Sequence, residues 1–231
     1  MELKTPGLFY GVGVGPGDPS LLTLRAAEVL RRCPVIAAPR TGGKMTALEI
    51  VCKVIDLDGK EVLPLDFSMS RDPHQREAEH RAMAEAVLSR LAKGRDVAMV
   101  CLGDISLYAS AGYLIPRIRQ AGYPVEWIPG VTSVSAAAAV LGQSLAEESA
   151  PLRIIPALDD AWKSELDLPG TKVLMKPGRR LPDILAYLKE TGRIASSALV
   201  MDCGMEGQQV IVPFDRLPER ASYYTLVIVK E

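Results

Sequence analysis

Tyr10-Gly11-Val12-Gly13-Val14-Gly15-Pro16-Gly17-Asp18-Pro19 decides how the rest of the chain is read. An apolar run from Leu8 to Val14 leads into this segment, and a helical pattern follows it. Glycines at such a joint let the backbone turn sharply and let a ligand approach the main chain. Two nucleotide readings fail on spacing. The dinucleotide fingerprint Gly-x-Gly-x-x-Gly would put its third glycine on Pro16 or on Asp18, depending on the frame. No acid closes the second apolar run, which ends Pro39-Arg40. A phosphate-cradling P-loop fails too, because Gly43-Lys44 is followed by Met45 and position 38 is alanine. Asp18 would repel a phosphate at a helix N-terminus. It suits an N-terminal cap with Pro19 in the first helical turn.

Working outward, further apolar runs occur at Val35-Ala38, Val97-Leu102, Val125-Ile128, Arg153-Ile155, Lys172-Met175, Ala198-Met201 and Tyr224-Val229. Each is short and continuous, as expected of a strand buried on both faces. Helical patterns lie between many of them. Leu21, Leu24, Ala27 and Leu30 fall on one face; Met45, Leu48, Val51 and Ile55 on another. A long charged segment from about Pro73 carries His80, Met83, Ala84, Val87, Leu88 and Leu91 on a third, and Gly94 closes it. Alternating strands and helices predict α/β architecture. After Pro129 the pattern changes to a small-residue helix, strands with shorter spacers, and a terminal pair of β segments. Two α/β domains are therefore expected, 1–128 and 129–231, the second built on a mixed sheet.

Composition narrows the function. The 231 residues include 27 basic and 28 acidic side chains, a formal net charge of −1, and only 5% aromatics. Nucleic-acid binders are usually clearly basic, and single-strand platforms need aromatic faces, so no nucleic-acid partner is expected. Cys33, Cys52, Cys101 and Cys203 include no Cys-x-x-Cys pair, and only His74 and His80 could join them. No metal site is indicated. Reduced cysteines packed as small apolar residues, and hence a cytoplasmic protein, are the expectation. The N-terminal segment has no apolar signal core. Trp127 to Ala146 approaches a membrane span in length. However, Pro129, Gly130, Gly142 and Gln143 interrupt it, so a buried helix over about Val131 to Leu141 is expected, with no membrane partner.

Three motifs in order carry a more specific signal. Gly13 to Ala26, reading GVGPGDPSLLTLRA, resembles the opening motif of the tetrapyrrole (corrin/porphyrin) methylase family. Leu102-Gly103-Asp104-Ile105-Ser106-Leu107-Tyr108 resembles that family's central Gly-Asp-Pro loop. Ile128 to Ala137, reading IPGVTSVSAA, resembles its domain-junction motif. The resemblance spans essentially the whole chain. Ala37 to Arg40, Phe67 to Asp72 and Gly103 to Ser110 are most similar to the branch that methylates carbon 20 of precorrin-2 or cobalt-factor II in cobalamin biosynthesis. The chain departs at Ile105, where the family usually has proline, so a less rigid turn is expected there.

The resemblance implies two α/β domains with the active site in the cleft between them, and S-adenosylmethionine as cofactor, leaving as S-adenosylhomocysteine. It places cofactor contacts on Pro16, Leu102, Gly103, Asp104, Leu107, Thr132, Ser133, Met175 and Gly204. A homodimer is also implied. Plainer readings stand beside these. Thr132 and Ser133 suit helix caps, Met175 suits ordinary core, and Asp104 suits a turn. A substrate rich in acetate and propionate calls for cationic partners. Arg40 and Arg71, with Gly13 beside the opening loop, are the candidate substrate contacts, and Lys44 and Arg179 are further ones. A proton must leave carbon 20, and Asp104 and Tyr108 are the candidate catalytic residues. His74 as a cobalt ligand is disfavoured, because the substrate's own nitrogens hold that metal. Another acceptor, such as uroporphyrinogen III or a different precorrin carbon, and a non-catalytic corrinoid-binding protein remain the alternatives. Near-zero net charge with a polycarboxylate substrate requires basic residues to be gathered toward the site, with acids such as Glu77, Glu79 and Glu85 elsewhere.

Overall fold

The structure, a computed structural model, describes residues 5–68, 70, 72–158, 160–220 and 222–230. It divides into two compact units, Met1–Thr132 and Ser133–Glu231. The first contains β1 (Phe9–Gly13), α1 (Leu24–Arg32), β2 (Val35–Arg40), α2 (Thr46–Cys52), β3 (Glu61–Asp66), α3 (Pro73–Leu91), β4 (Val97–Cys101), α4 (Ile115–Gln120) and β5 (Val125–Ile128). The second contains α5 (Ser133–Leu141), β6 (Leu152–Pro156), α6 (Trp162–Leu166), β7 (Thr171–Met175), α7 (Leu181–Glu190), β8 (Ser197–Met201), β9 (Gln209–Ile211) and β10 (Thr225–Val229).

In the first unit the strands form a parallel sheet in the order β3-β2-β4-β1-β5. Successive side chains point to opposite faces. Tyr10 and Val12 therefore join one core with Ala26, Val29 and Leu30 of α1 and Leu48 and Val51 of α2. Phe9, Val97 and Met99 join another with Met83, Val87 and Leu91 of α3 and Ile115 and Ile118 of α4. Both faces are covered, which is why the strands read as continuous apolar runs. The chain fills one face up to β3 and the other after it. Neighbouring strands β1 and β4 thus send their helices to opposite faces. The carboxyl ends of this pair form the sheet's topological switch point, the usual ligand crevice of such folds.

The second unit holds a mixed sheet in the order β6-β7-β10-β8-β9. β6 and β7 run parallel, and β10 pairs antiparallel with β7 and β8. Trp162 and Leu166 of α6 pack over one face with Leu181, Ile184, Leu185 and Leu188 of α7, against Leu174, Leu199 and Val227.

Several sequence expectations need correction. Leu24, expected on the buried face of the first helix, is 91% exposed. Residues Pro19–Leu21 form a separate 3-10 turn capped by Asp18, whose carboxylate accepts from the Ser20 N–H at 2.8 Å. The chain then restarts at Thr23, whose hydroxyl accepts from the Ala26 N–H. That restart shifts the phase, so Ala26, Ala27, Val29 and Leu30 turn inward. The small-residue helix begins at Ser133, two residues later than expected. β3 and β9 had no counterpart in the apolar runs. β3 is an edge strand that alternates buried Leu63 and Leu65 with exposed Val62, Pro64 and Asp66, and β9 has only three residues. Cys33, Cys101 and Cys203 are buried, but Cys52 is exposed.

Candidate functional site

The switch point of the first unit is closed by main chain. Gly15 and Gly103 form an isolated antiparallel bridge, with Gly103 N–H donating to Gly15 O at 2.8 Å and Gly15 N–H to Gly103 O at 3.1 Å. The loop after β1 is thereby sewn to the loop after β4. The loop after β5 joins them at Gly130. A Cβ built on Gly130 would lie 2.3 Å from Gly103 O and 2.7 Å from the Gly13 carbonyl carbon, and one on Gly13 would lie 2.6 Å from Gly130 N. All of those neighbours are backbone, so none can swing aside. The three loops can meet only because Gly13 and Gly130 carry no side chain.

Asp104 locks the junction. The residue is 8% exposed, and its carboxylate accepts from Gly130 N–H at 2.9 Å through Oδ2. Its Oδ1 accepts from Ser106 N–H at 2.8 Å and from the Ser106 hydroxyl. Burial alone would push this carboxyl up. The opposing hydrogen bonds from Ser106, Gly130 and Ile105 hold it below the usual aspartate range. Both oxygens are committed and the anion is favoured, which makes Asp104 a poor proton acceptor. The expected slack at Ile105 is taken up differently. Its side chain is buried beside Ile115 and fills the space over Gly11, where a Cβ would fall 1.9 Å from Ile105 Cδ1. Side-chain packing and the Asp104 turn together fix a loop that lacks proline.

The other candidates up to the start of α5 differ in exposure. Pro16 is buried within the opening loop, and Leu102 and Leu107 are half-buried in the central one. Tyr108 is 46% exposed and adopts φ +53°, a left-handed conformation that costs energy in a non-glycine residue. Thr132 and Ser133 are half-buried at the entry to α5. Arg40 ends β2 at the same carboxyl edge. It donates through Nε and Nη2 to Asp66 at 2.5 and 2.7 Å. Lys44 is exposed on a two-residue turn formed by left-handed Gly42 and Gly43. Arg71 lies outside the described residues. His74 is an exposed residue of the first turn of α3.

In the second unit, Met175 and Gly204 share one sheet edge. Met175 is the buried last residue of β7 and pairs with Leu226 of β10, while Thr225 pairs with Met201 at the end of β8. Lys176 follows at φ +56° and Asp202 at φ +51°. Two left-handed non-glycine residues directly after the ends of β7 and β8, the strands that flank β10, are the kind of strain that collects at functional sites. Asp202 is buried and accepts from Arg220 Nη2 at 2.5 Å and from the Ser222 hydroxyl. Gly204, at φ +74°, donates its N–H to Gln208 Oε1 at 2.7 Å. Arg179 is exposed, in a 3-10 turn. Sequence reading passed over Asp202, Ser106, Asp66 and the steric role of Gly130. An acid one residue past a β run was the available signal for Asp202, and an acid closing a strand would have been the signal for Asp66 had β3 been recognised. Among the described residues no cluster of three His, Cys, Asp or Glu side chains could hold a metal ion. No described helix is long and apolar enough to cross a membrane.

Comparison with known proteins agrees with this architecture. The chain is 31% identical to a precorrin-2 C(20)-methyltransferase of Sinorhizobium sp., over 96% of this chain and 95% of the relative. It is 33% identical to the cobalt-precorrin-2 C(20)-methyltransferase of Salmonella typhimurium, over 88% and 86%. A uroporphyrin-III C-methyltransferase from Thermus thermophilus, solved in complex with S-adenosylhomocysteine, shares the fold with a TM-score of 0.71 at 22% identity, covering 97% of this chain and 98% of that one. The sequence profile of the Tetrapyrrole (Corrin/Porphyrin) Methylases matches residues 8–217, and this chain belongs to that family.

Proposed function

We infer that this protein is an S-adenosylmethionine-dependent methyltransferase that methylates carbon 20 of precorrin-2 or cobalt-factor II in cobalamin biosynthesis. The observation that carries the reading is the glycine-built junction of three loops clasped by Asp104, set at the switch point of a family-typical sheet. Relatives named for C-20 methylation match nearly end to end. The proposed cofactor contacts are Pro16, Leu102, Gly103, Asp104, Leu107, Thr132 and Ser133, with Met175 and Gly204.

The junction suits such a cofactor. Its loops present main-chain groups and one buried carboxylate. Among the nine proposed contacts there is no cation to oppose a sulfonium or an ammonium. S-adenosylmethionine, when bound, supplies an electrophilic methyl group on positively charged sulfur. The protein's share of the reaction is alignment and exclusion of water. Asp104 holds Gly130 against Gly13 and Gly103, fixing the loop positions before ligand arrives. With both Asp104 oxygens holding loop hydrogen bonds, the hydroxyl of exposed Tyr108 is the candidate to relay the carbon-20 proton, passing its own proton on to water as it receives the other. Left-handed Lys176 and Asp202 fix the ends of β7 and β8, and with them Met175 and Gly204.

Arg40 and Gly13 are the proposed substrate contacts, joined by Arg71. A homodimer and a cytoplasmic location complete the reading. Exposed Trp127 on edge strand β5 and exposed Leu24 support the first, and four free cysteines the second. Light scattering of the purified protein at working concentration should give twice the chain mass; a single-chain mass would remove the dimer. For the function itself, purified protein is incubated with S-adenosylmethionine and, separately, precorrin-2, its cobalt form and uroporphyrinogen III. A product heavier by one methyl from precorrin-2 or its cobalt form is expected. Turnover with uroporphyrinogen III alone would move the chain to another branch. Binding without turnover on every acceptor would make it a corrinoid-binding protein.

A further inference from the structure

We propose that Asp66 is a positioning residue for substrate recognition, holding one edge of the Arg40 guanidinium so that its free edge is a preset fork for a substrate carboxylate. The inference rests on the tetrapyrrole reading above and extends it to a residue outside the motifs that led there. Arg40 and Asp66 are the last residues of neighbouring parallel strands and are direct register partners. Phe67 N–H donates to Arg40 O at 3.0 Å, which fixes the backbone one residue beyond the pair. Asp66 occupies Nε and Nη2. A guanidinium has five N–H donors, so three remain, on Nη1 and Nη2. They form the planar edge that matches a carboxylate bidentately.

Stability does not explain this pair. The Arg40 and Asp66 side chains are 39% and 68% exposed, and ion pairs so exposed contribute little to folding. The contrast with Glu61, at the other end of β3, is instructive. Glu61 takes Arg90 and Arg95 together in a less exposed cluster that ties α3 to the sheet. Asp66 instead faces the carboxyl edge that carries the glycine junction. β2 is separated from β1 by β4 alone, so Arg40 lies two strand spacings from Gly13, roughly 10 Å across the sheet. That distance is within the span of a four-ring macrocycle with carboxylate arms.

Charge alone predicts the opposite of positioning. The pair is electrically neutral, and removing Asp66 would free a cation and strengthen binding of any polyanion. If Asp66 instead holds Arg40 in place, removing it returns the ordering cost of a long side chain to the binding step. Lys44, exposed and in no ion pair among the described residues, is the built-in comparison for unaligned charge.

The experiment uses the full chain with S-adenosylmethionine and precorrin-2, comparing Asp66→Asn, Asp66→Glu, Arg40→Ala and the Arg40→Ala/Asp66→Asn double variant. Asp66→Asn should raise the KM for precorrin-2 about fivefold to tenfold, the ordering cost of one long side chain. The kcat and the KM for S-adenosylmethionine should stay near wild type. Asp66→Glu should recover part of the loss, and the double variant should be no worse than Arg40→Ala alone. An unchanged or lowered KM in Asp66→Asn, or additive losses in the double variant, would overturn the inference while leaving the function standing. A wild-type protein inactive on precorrin-2 and on its cobalt form would bring down the substrate reading, and the inference with it.

Discussion

Asp104 decides how the junction behaves. Its carboxylate serves Gly130 and Ser106 at once, and an amide in its place would turn a donor toward one of those N–H groups. Asp104→Asn should therefore cost about 1–3 kcal/mol, as for a buried donor left unpaired. The pH dependence has a definite sign. A carboxyl held below its unfolded pKa of about 3.9 contributes stability that is fully present above that value. The contribution is lost as pH falls through the lower folded value. Denaturant titrations should thus show the wild-type advantage over Asp104→Asn shrinking below about pH 4. An advantage independent of pH would mean that the carboxylate is not the clasp. Gly130→Ala tests the same point sterically. No backbone neighbour can yield to the added methyl, so a loss of about 3 kcal/mol is expected, with weaker S-adenosylmethionine binding by calorimetry. A well-folded Gly130→Ala with wild-type affinity would contradict the close packing.

At the scale of elements, the chain's legibility followed burial. Strands covered on both faces, such as β4 and β8, have every residue buried and are plain in the sequence as apolar runs. β3 was hidden because an edge strand alternates, and because Pro64 reads as a breaker when the open edge is unknown. Leu24 was misplaced because capping at Thr23 outweighed the apolar period across Leu21 and Leu24. Local hydrogen bonding of two side chains, Asp18 and Thr23, set the helix phase there. The motif residues of the site were legible individually, but their mutual ties were not. That Asp104 clasps Gly130 depends on two loops 26 residues apart meeting at one sheet edge. The cysteines give an element-scale test. Burial pushes the Cys33 and Cys101 thiols up to about 12 and raises that of Cys203, while Cys52 at the end of α2 is exposed. An aromatic disulfide reagent should label one thiol per folded chain quickly and four after denaturation. Fast labelling of two or more would contradict the burial described for these strands and loops.

For the whole molecule, the near-zero net charge takes on a structural meaning. Of the cations expected at the substrate's edge, Arg40 is balanced by Asp66, and the acids of α3 are partly consumed by their own neighbours, Glu77 by Arg117 and Glu79 by Ser68 and Gln75. Recognition of a polycarboxylate by such a surface depends on directed hydrogen bonds more than on net attraction. The two units carry different sheets, one parallel and one mixed. The protein's defining property is methyl transfer to one carbon. Carbon-13 methyl-labelled S-adenosylmethionine, incubated with the protein and precorrin-2 or its cobalt form, followed by carbon-13 NMR of the product, reads that carbon directly. A single labelled methyl resonance, whose long-range proton–carbon correlations place it on carbon 20, is expected. A methyl on any other ring position, or no labelled tetrapyrrole from either acceptor, would contradict it.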